Sequence, residues 1–183
     1  MGANMILTIG AILLFGTLLV NSNNIISSNS QIAAQNEYYI SALAIGQSVI
    51  DEAKTKAFDQ QTVSSGVASP SAMTHWNSLG RDGGGEAVPN PDTLSTSSPF
   101  TTAAPGYWSS IKFNDIDDYN DYKRIVNTPR AEGYNVLVKV KYASPTYPDS
   151  LYASSRSYCK WMRVYVWSKY MADTVKVYYS FLY

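Results

Sequence analysis

The sequence predicts an α+β fold in which a long N-terminal α-helix packs on a small C-terminal antiparallel β-sheet. Three observations predict this class: an uncharged apolar run at residues 5–20, a helical spacing of apolar residues that continues to about residue 58, and alternating apolar and polar residues in the last third. A chain of 183 residues suits one small domain with an appended segment.

The first segment, residues 1–24, carries no charged side chain, and the first basic residue of the chain is Lys54. Its apolar run, residues 5–20, approaches the ~20 residues that a helix needs to cross the hydrocarbon core of a bilayer. Signal peptides and signal anchors carry basic residues ahead of their apolar part. We therefore expect that a short basic leader precedes Met1 in the translated protein and is removed on the cytoplasmic side, leaving the apolar run in the mature chain.

The second segment, residues 25–58, is predicted to be an amphipathic helix. No proline occurs before Pro70, so we expect the first two segments to form one helix about 85 Å long at ~1.5 Å per residue. The prediction depends on a stripe of residues that follow one another at alternating spacings of three and four. This helical stripe comprises Ile25, Ser28, Ile32, Gln35, Tyr39, Ala42, Gly46, Val49, Ala53 and Ala57.

The third segment, residues 59–107, is rich in Ser, Thr, Gly and Pro. This composition predicts loops that lie outside the hydrophobic core. The glycine-rich stretch at residues 80–86 lacks the Lys-Ser/Thr pair of a phosphate-binding loop and opens no predicted helix, so it is interpreted as a flexible loop.

The fourth segment, residues 108–183, is predicted to form an antiparallel sheet of three or four strands. Residues 134–142 alternate between an apolar and a polar face, as a strand covered on one side does. Two further strand-like runs, residues 161–167 and 174–183, flank a short connection and predict a hairpin. The sheet needs a cover on one face, and the amphipathic helix at residues 25–58 is expected to supply it.

Composition argues against several classes of function. The formal net charge is zero, so we expect no nucleic-acid partner. The single cysteine, Cys159, rules out an internal disulfide and is expected in the core. The single histidine, His75, has no cysteine nearby and the chain has no serine-nucleophile motif, so neither a zinc site nor a hydrolase triad is expected. We expect that the protein has no catalytic activity. We also expect no cofactor other than the calcium ion considered below.

In the order of its segments the chain resembles the type IV pilins and pseudopilins. It shares with them an uncharged N-terminal segment of membrane length, continued by an amphipathic helix, a loop region and a C-terminal antiparallel sheet. Mature chains of that family begin with Phe or Met, as Met1 does, and carry Glu at the fifth position, where this chain has Met5. The resemblance implies that a prepilin peptidase removes a basic leader and methylates the new N-terminus.

The resemblance further implies a structural subunit of an extracellular type IV pilus-like filament. The implied partners are identical subunits in a helical filament, the inner membrane before assembly, and the pilus assembly machinery. Two alternatives stay open: a minor pseudopilin of a secretion system, and a membrane-anchored extracytoplasmic module that binds a ligand. The residues expected to mediate assembly lie along the apolar helix and are Met1, Ile6, Ile9, Gly10, Leu13, Leu14, Gly16 and Leu18.

Weak helix formers are concentrated at residues 16–24, which include Gly16, Thr17 and the asparagines of the NSNN stretch. Gly lowers helix stability by up to ~1 kcal/mol relative to Ala, and Asn or Thr by ~0.5 to 0.7 kcal/mol. We therefore expect this part of the helix to be stretched or unwound in an assembled filament.

An acidic run, NDIDDYND at residues 114–121, is the one candidate metal site. Its carboxylates belong to Asp115, Asp117, Asp118 and Asp121, and calcium prefers oxygen ligands of this kind. The run lacks the glycine and the final glutamate of an EF-hand loop. A calcium site and a solvated, turn-forming acidic loop are the two interpretations.

Overall fold

The predicted N-terminal helix is present as one continuous element. The computed structural model describes residues 2–100, 104–129 and 131–183. Helix α1 extends over Gly2–Ala53 and contains 52 residues. Four strands follow and pair antiparallel in chain order: β1 (Lys123–Val126), β2 (Tyr134–Tyr142), β3 (Cys159–Trp167) and β4 (Val175–Leu182). The predicted α+β class, a long helix packed on a small antiparallel sheet, is therefore confirmed.

The chain divides into two compact units. The first ends at Tyr38 and consists, over its described residues 2–38, of helix alone. The second extends from Tyr39 to Tyr183 and contains the rest of α1, the sheet and the connecting loops. The helix is unbroken through residues 16–24 in this chain. The unwinding expected there stays a prediction about the assembled filament.

One face of the sheet packs against the C-terminal part of α1. Cross-strand neighbours on this face are apolar and buried, as in the pair formed by Val136 and Val166. Gly46 of α1 lies against the same face, where an added Cβ would stand 2.7 Å from Val177 Cγ2. Valine is stiff at χ1 and has little room to yield. Glycine at this position therefore allows the helix to approach the sheet closely.

The strands agree closely with the expected ones. Residues 134–142 form β2, and burial alternates along it as the sequence pattern requires. The predicted hairpin is formed by β3 and β4. Strand β3 begins at Cys159, earlier than expected, because Cys159 pairs with Leu182 and so extends the ladder toward the end of the chain.

Burial of the helical stripe begins partway along it. Buried residues of α1 begin at Ala42 and end at Ala53. Ile25 and Ile32 belong to the same stripe, yet they are 60% and 55% exposed. The cover expected for part of the amphipathic helix at residues 25–58 is therefore observed for its later part, within the second unit. The helical period repeats along the whole stripe and does not encode how far a sheet extends.

Helix α1 also ends before the predicted position near residue 58. After Ala53 the backbone tightens, and the N–H groups of Thr55 and Lys56 bond to carbonyls three residues earlier. Ala57 then forms a parallel bridge with Asp115. This pairing with a remote segment turns the chain into the domain, so that the following residues are buried in its core.

The loop-rich region contributes to the core, contrary to expectation. Its described residues, 59–100 and 104–107, contain three short 3₁₀ turns: Gln60–Thr62, Pro70–Ala72 and Gly84–Glu86. Met73 and Phe100 are buried, as are the acidic side chains of Asp59, Glu86 and Asp92. Asp92 accepts hydrogen bonds from the backbone N–H groups of Trp108 and Ser109, at the start of the one-turn helix α2 (Ser109–Lys112). Buried carboxylates thus order loops that composition alone assigns to the surface.

Cys159 lies in the core, as predicted. Its side chain is fully buried and clusters with Ala143 and Trp161. Burial raises the pKa of the thiol. A buried, neutral thiol is a structural residue and a poor nucleophile.

Candidate functional site

The apolar surface is defined here as the helix surface formed by residues 5–20. Its large apolar side chains are between 50% and 74% exposed. They include the expected assembly residues Ile6, Ile9, Leu13, Leu14 and Leu18. An added Cβ at Gly10 or Gly16 would meet nothing within 4 Å. Met1, also expected to mediate assembly, lies outside the described residues.

This surface is suited to surroundings without water. Helix α1 contains an 18-residue window of mean hydropathy 2.2 that is 0% buried, so it is long and apolar enough to cross a membrane. Within the run, Thr17 Oγ1 donates to Leu14 O at 2.9 Å, and Thr8 Oγ1 donates to Asn4 O. Because the helix itself satisfies these hydroxyls, neither needs a water partner.

The acidic run is mostly buried. Asp115, Asp117 and Asp118 are at most 1% exposed, so the interpretation as a solvated loop was wrong for them. Asp121 lies apart: its side chain is 62% exposed and pairs with Lys139 on β2. The four predicted ligands are therefore not brought together as one set.

Local hydrogen bonds explain how two of the three buried carboxyls, those of Asp115 and Asp118, are accommodated in so short a segment. Asp115 Oδ1 accepts from the N–H groups of Asp117, at 2.6 Å, and Asp118, at 3.1 Å. Asp118 Oδ2 accepts from the N–H groups of Asn114 and Asp115. Side chains that bond to backbone groups two to four residues away favour turns, and the run forms the 3₁₀ turn Asp117–Tyr119.

A buried lysine lies at the centre of this cluster. Lys160 Nζ is 2.7 Å from Asp59 Oδ2, 2.5 Å from Asp117 Oδ1 and 2.8 Å from Phe58 O. The side chains of Lys160, Asp59 and Asp117 are all 0% exposed. Lys160, Asp59 and Asp117 are called the buried lysine cluster below.

The buried lysine cluster was not predicted from the sequence, although a signal for it is present. Lys160 occupies the same face of β3 as Met162, Val164 and Val166, the face that packs on α1. A single lysine in an alternating row of apolar residues predicts a buried charge with a partner, because an isolated ammonium in an apolar core is unfavourable. The identity of the partners was not readable, since Asp59 and Asp117 are remote in sequence.

The two carboxyls that contact Lys160 differ in their environments. Burial by itself would raise the pKa of Asp59, but the Lys160 ammonium and hydrogen bonds from Gln61 and Thr74 lower it to about 2. In the part of the chain that the structure describes, no backbone group donates a hydrogen bond to the Asp117 carboxyl. Burial raises the pKa of Asp117 to about 8, and the attraction of Lys160 offsets this only in part. Lys160 is therefore paired with one ionised carboxylate, Asp59, beside one carboxylic acid, Asp117.

The ammonium of Lys160 supplies the positive charge that the calcium hypothesis assigned to a metal ion. Among the residues that the structure describes, no group of three or more His, Cys, Asp or Glu side chains could hold a metal ion. Calcium binding by the acidic run stays a prediction. It is tested by comparing the melting temperature of the protein in calcium and in chelator.

A second polar network joins the end of α1 to the domain. Glu52 Oε2 lies 2.5 Å from Arg124 Nη2, and the side chain of Arg124 is 3% exposed. Glu52 Oε1 accepts hydrogen bonds from Tyr119 OH at 2.8 Å and Ser109 Oγ at 2.6 Å. Tyr122 OH bonds to the same arginine. These four contacts of Glu52 and Arg124 hold the C-terminal end of α1 against the domain.

No protein-family model matches this chain, and neither the curated proteins nor the solved structures contain a match.

We expect the protein to unfold at a lower temperature at about pH 8 than at about pH 5. Burial raises the pKa of Asp115 and of Asp118 to about 7, and repulsion from Asp118 adds to the rise at Asp115. In the unfolded chain these carboxyls titrate near pH ~4. Between the two values the unfolded state binds fewer protons than the folded state, so the free energy of unfolding falls as the pH rises.

The measurement is thermal unfolding followed by tryptophan fluorescence, in detergent, across this pH range. Asp115→Asn keeps the oxygen that accepts the two backbone hydrogen bonds but cannot ionise, so its pH profile should be flatter. Asp121→Asn, at an exposed position, is the matched control and should keep the original profile. An unchanged slope in Asp115→Asn would contradict this assignment.

Proposed function

We propose that this chain is a structural subunit of an extracellular type IV pilus-like filament and polymerises through the N-terminal part of α1. The observation that carries the proposal is the apolar surface at residues 5–20, whose large side chains are all half exposed or more. Fully burying one aliphatic or aromatic side chain of this size is worth about 1.5–3 kcal/mol. A surface of this extent is therefore stable only when lipid or protein covers it.

Membrane storage and filament assembly place the same demands on this segment. Both the bilayer core and the interior of a helical bundle exclude water, and a helix satisfies its own backbone hydrogen bonds in either. Transfer from lipid to a bundle gains little from the hydrophobic effect, so close packing must favour assembly. Gly10 and Gly16 leave open space on the helix surface, and such positions let neighbouring helices approach.

The proposed partners follow from this assignment. Identical subunits cover the apolar surface in the filament, the inner membrane covers it before assembly, and pilus assembly machinery transfers the chain from one to the other. The sheet domain, residues 39–183, remains on the aqueous side in both states. A minor pseudopilin would use the same contacts in a shorter polymer.

The competing candidate is a membrane-anchored extracytoplasmic binding module. The length and hydropathy of α1 favour it equally, because an anchor needs only a segment that crosses the membrane. The two candidates differ in one observable property: only the subunit forms fibres.

Negative-stain electron microscopy of sheared cell surfaces tests the proposal. Cells producing the full chain should shed long fibres of uniform diameter that react with an antibody against the domain. Cells producing the domain without residues 2–24 should shed none, while immunoblots show equal amounts of both chains. Absence of fibres from cells with abundant full-length chain in the membrane would favour the anchored module, and fibres from the truncated chain would overturn assembly through α1.

A further inference from the structure

The buried lysine cluster brings an amine and a carboxyl into contact where water is excluded. Lys160 Nζ lies 2.5 Å from Asp117 Oδ1, and both side chains are 0% exposed. The ring of Phe58 covers the amine, with 4.7 Å between Nζ and the ring centroid. Both carboxyl oxygens of Asp117 are buried without a hydrogen-bond partner among the described residues, and the contact of Oδ1 with Lys160 is an ion-pair contact. An unpartnered polar atom of this kind calls for an explanation.

Asp59, the second carboxyl of the cluster, is held quite differently. Asp59 Oδ1 accepts from the N–H groups of Gln61 and Thr74 and from Thr74 Oγ1. Asp59 Oδ2 accepts from Tyr142 OH at 3.0 Å and from Lys160 Nζ at 2.7 Å. This carboxylate is fixed in orientation and can exchange a proton with Nζ without moving. The cluster therefore contains the amine of Lys160, the Asp59 carboxylate held in position to act as a base, and the Asp117 carboxyl. Among the described residues, Asp117 makes no contact of this kind besides that with Lys160.

We propose that Lys160 and Asp117 join in an intramolecular isopeptide bond, with Asp59 as the group that relays protons. The contacts assign the electrophile: five donors stabilise Asp59 as an anion, whereas among the described residues only Lys160 contacts the Asp117 carboxyl. A neutral carboxylic acid is attacked by an amine far more readily than a carboxylate. Asp117 is fully buried, and burial favours the neutral form of a carboxyl.

The reaction balances without an oxidant or any other co-reactant. The Lys160 ammonium first gives one proton to the Asp59 carboxylate, which leaves a neutral amine. The nitrogen lone pair attacks Cγ of the Asp117 carboxylic acid, forming the C–N bond and a tetrahedral intermediate. A second proton from the nitrogen, relayed through the Asp59 carboxyl, reaches the departing hydroxyl. The C–O bond breaks, one water leaves, and Asp59 retains one proton.

Two physical effects favour this step in the folded chain. The groups are held in contact, so the reaction has the advantage of proximity that intramolecular reactions show. The Phe58 ring covers the buried amine, so water is kept away from the reacting atoms. Bond formation also replaces a buried ammonium and its carboxylate partner by neutral groups, and it thereby removes the desolvation penalty of a buried ion pair.

The bond would connect the 3₁₀ turn Asp117–Tyr119 to strand β3. A covalent link between residues 117 and 160 encloses β1 and β2 and restricts the unfolded chain. This consequence does not depend on whether the chain polymerises.

Mass spectrometry of the purified full-length chain, denatured before measurement, tests the proposal. The intact mass should be lower by one water molecule than the mass of the unlinked chain carrying the same terminal processing. After trypsin digestion, the peptide of residues 113–123 should be joined to that of residues 157–163, uncleaved after Lys160. Fragment ions should place the link on Asp117. An intact mass equal to that of the unlinked chain, or a link to the peptide of residues 57–81 that carries Asp59, would overturn it.

Variants identify the roles of the three groups. Lys160→Arg should show the unlinked mass, and Asp59→Asn should lose most of the link because it cannot accept a proton. Asp117→Asn should form the same linked peptide pair with loss of ammonia instead of water. Lys139→Arg, at the exposed lysine that pairs with Asp121, is the matched control and should stay fully linked. A link that persists in Lys160→Arg would refute the assignment, and the wild-type mass decides the question even if a variant fails to fold.

Discussion

Replacement of Leu14 by aspartate is expected to abolish filament formation. Leu14 is 70% exposed and lies within the apolar surface, where neighbouring subunits would bury it in the proposed filament. A lone carboxylate transferred to apolar surroundings without a partner is destabilised by several kcal/mol. A loss of this size in every subunit contact exceeds what packing between apolar helices supplies. Sheared fibres from cells producing the variant should therefore be absent.

The matched control is Leu14→Met, which keeps the apolar character and nearly the same volume. Fibre yield from this control should equal that of the unaltered chain, measured by quantitative immunoblots of the sheared fraction. Circular dichroism of the purified variants in detergent verifies that the domain remains folded. Normal fibres assembled from Leu14→Asp would be incompatible with burial of this surface in a polymer.

Replacement of Glu52 by alanine is expected to lower the free energy of unfolding of the domain by about 3–5 kcal/mol, the usual effect of removing one member of a buried ion pair. The change would leave Arg124, which is 3% exposed, without its carboxylate partner. It would also remove the acceptor of the hydrogen bonds from Tyr119 and Ser109. Chemical denaturation followed by tryptophan fluorescence measures the loss.

Asp51→Ala provides a closely matched comparison, one residue earlier on the same helix. Asp51 pairs with Lys54 at 2.9 Å, but the two side chains are 57% and 37% exposed. Exposed pairs contribute about 0–1 kcal/mol, so this variant should unfold almost as the original chain does. Equal losses in Asp51→Ala and Glu52→Ala would mean that the Glu52–Arg124 contact does not stabilise the fold.

Alanine substitutions at the neighbouring residues Asp51 and Glu52 are thus expected to lower the free energy of unfolding by very different amounts. The sequence does not reveal this difference. Asp51 precedes Lys54 by three residues and Glu52 precedes Lys56 by four, and both spacings are typical of ion pairs along a helix. Glu52 is distinguished by Arg124, which folding brings to it from β1. The helical period gives the direction in which a side chain points around the helix axis. It does not identify the residue that the side chain contacts when that residue lies on an element far along the chain.

The acidic run illustrates the same limit. Its composition predicted turns and oxygen ligands, and the turn is present as Asp117–Tyr119. Its burial depends on the bridge between Ala57 and Asp115 and on Lys160 of β3. Charge by itself favours the surface, whereas Asp117 is buried beside a lysine that comes from a remote strand.

The sequence by itself determined the types of the elements. The period of 3.6 residues identified the helix, and the period of two identified β2 and the β3–β4 hairpin, because these periods arise from local backbone geometry. It also identified the apolar surface at residues 5–20, because hydropathy is a property of the residues alone.

Tertiary structure alone decided where burial of the helical stripe begins and which charges lie inside. Ala42 is buried and Ile32 is not, although both lie on one stripe. Lys160 meets Asp59 and Asp117 only because β3, the turn after α1 and the turn before β1 converge on one face of the sheet. Burial and ion pairing depend on contacts between residues remote in sequence, and no local pattern encodes which remote residues will meet.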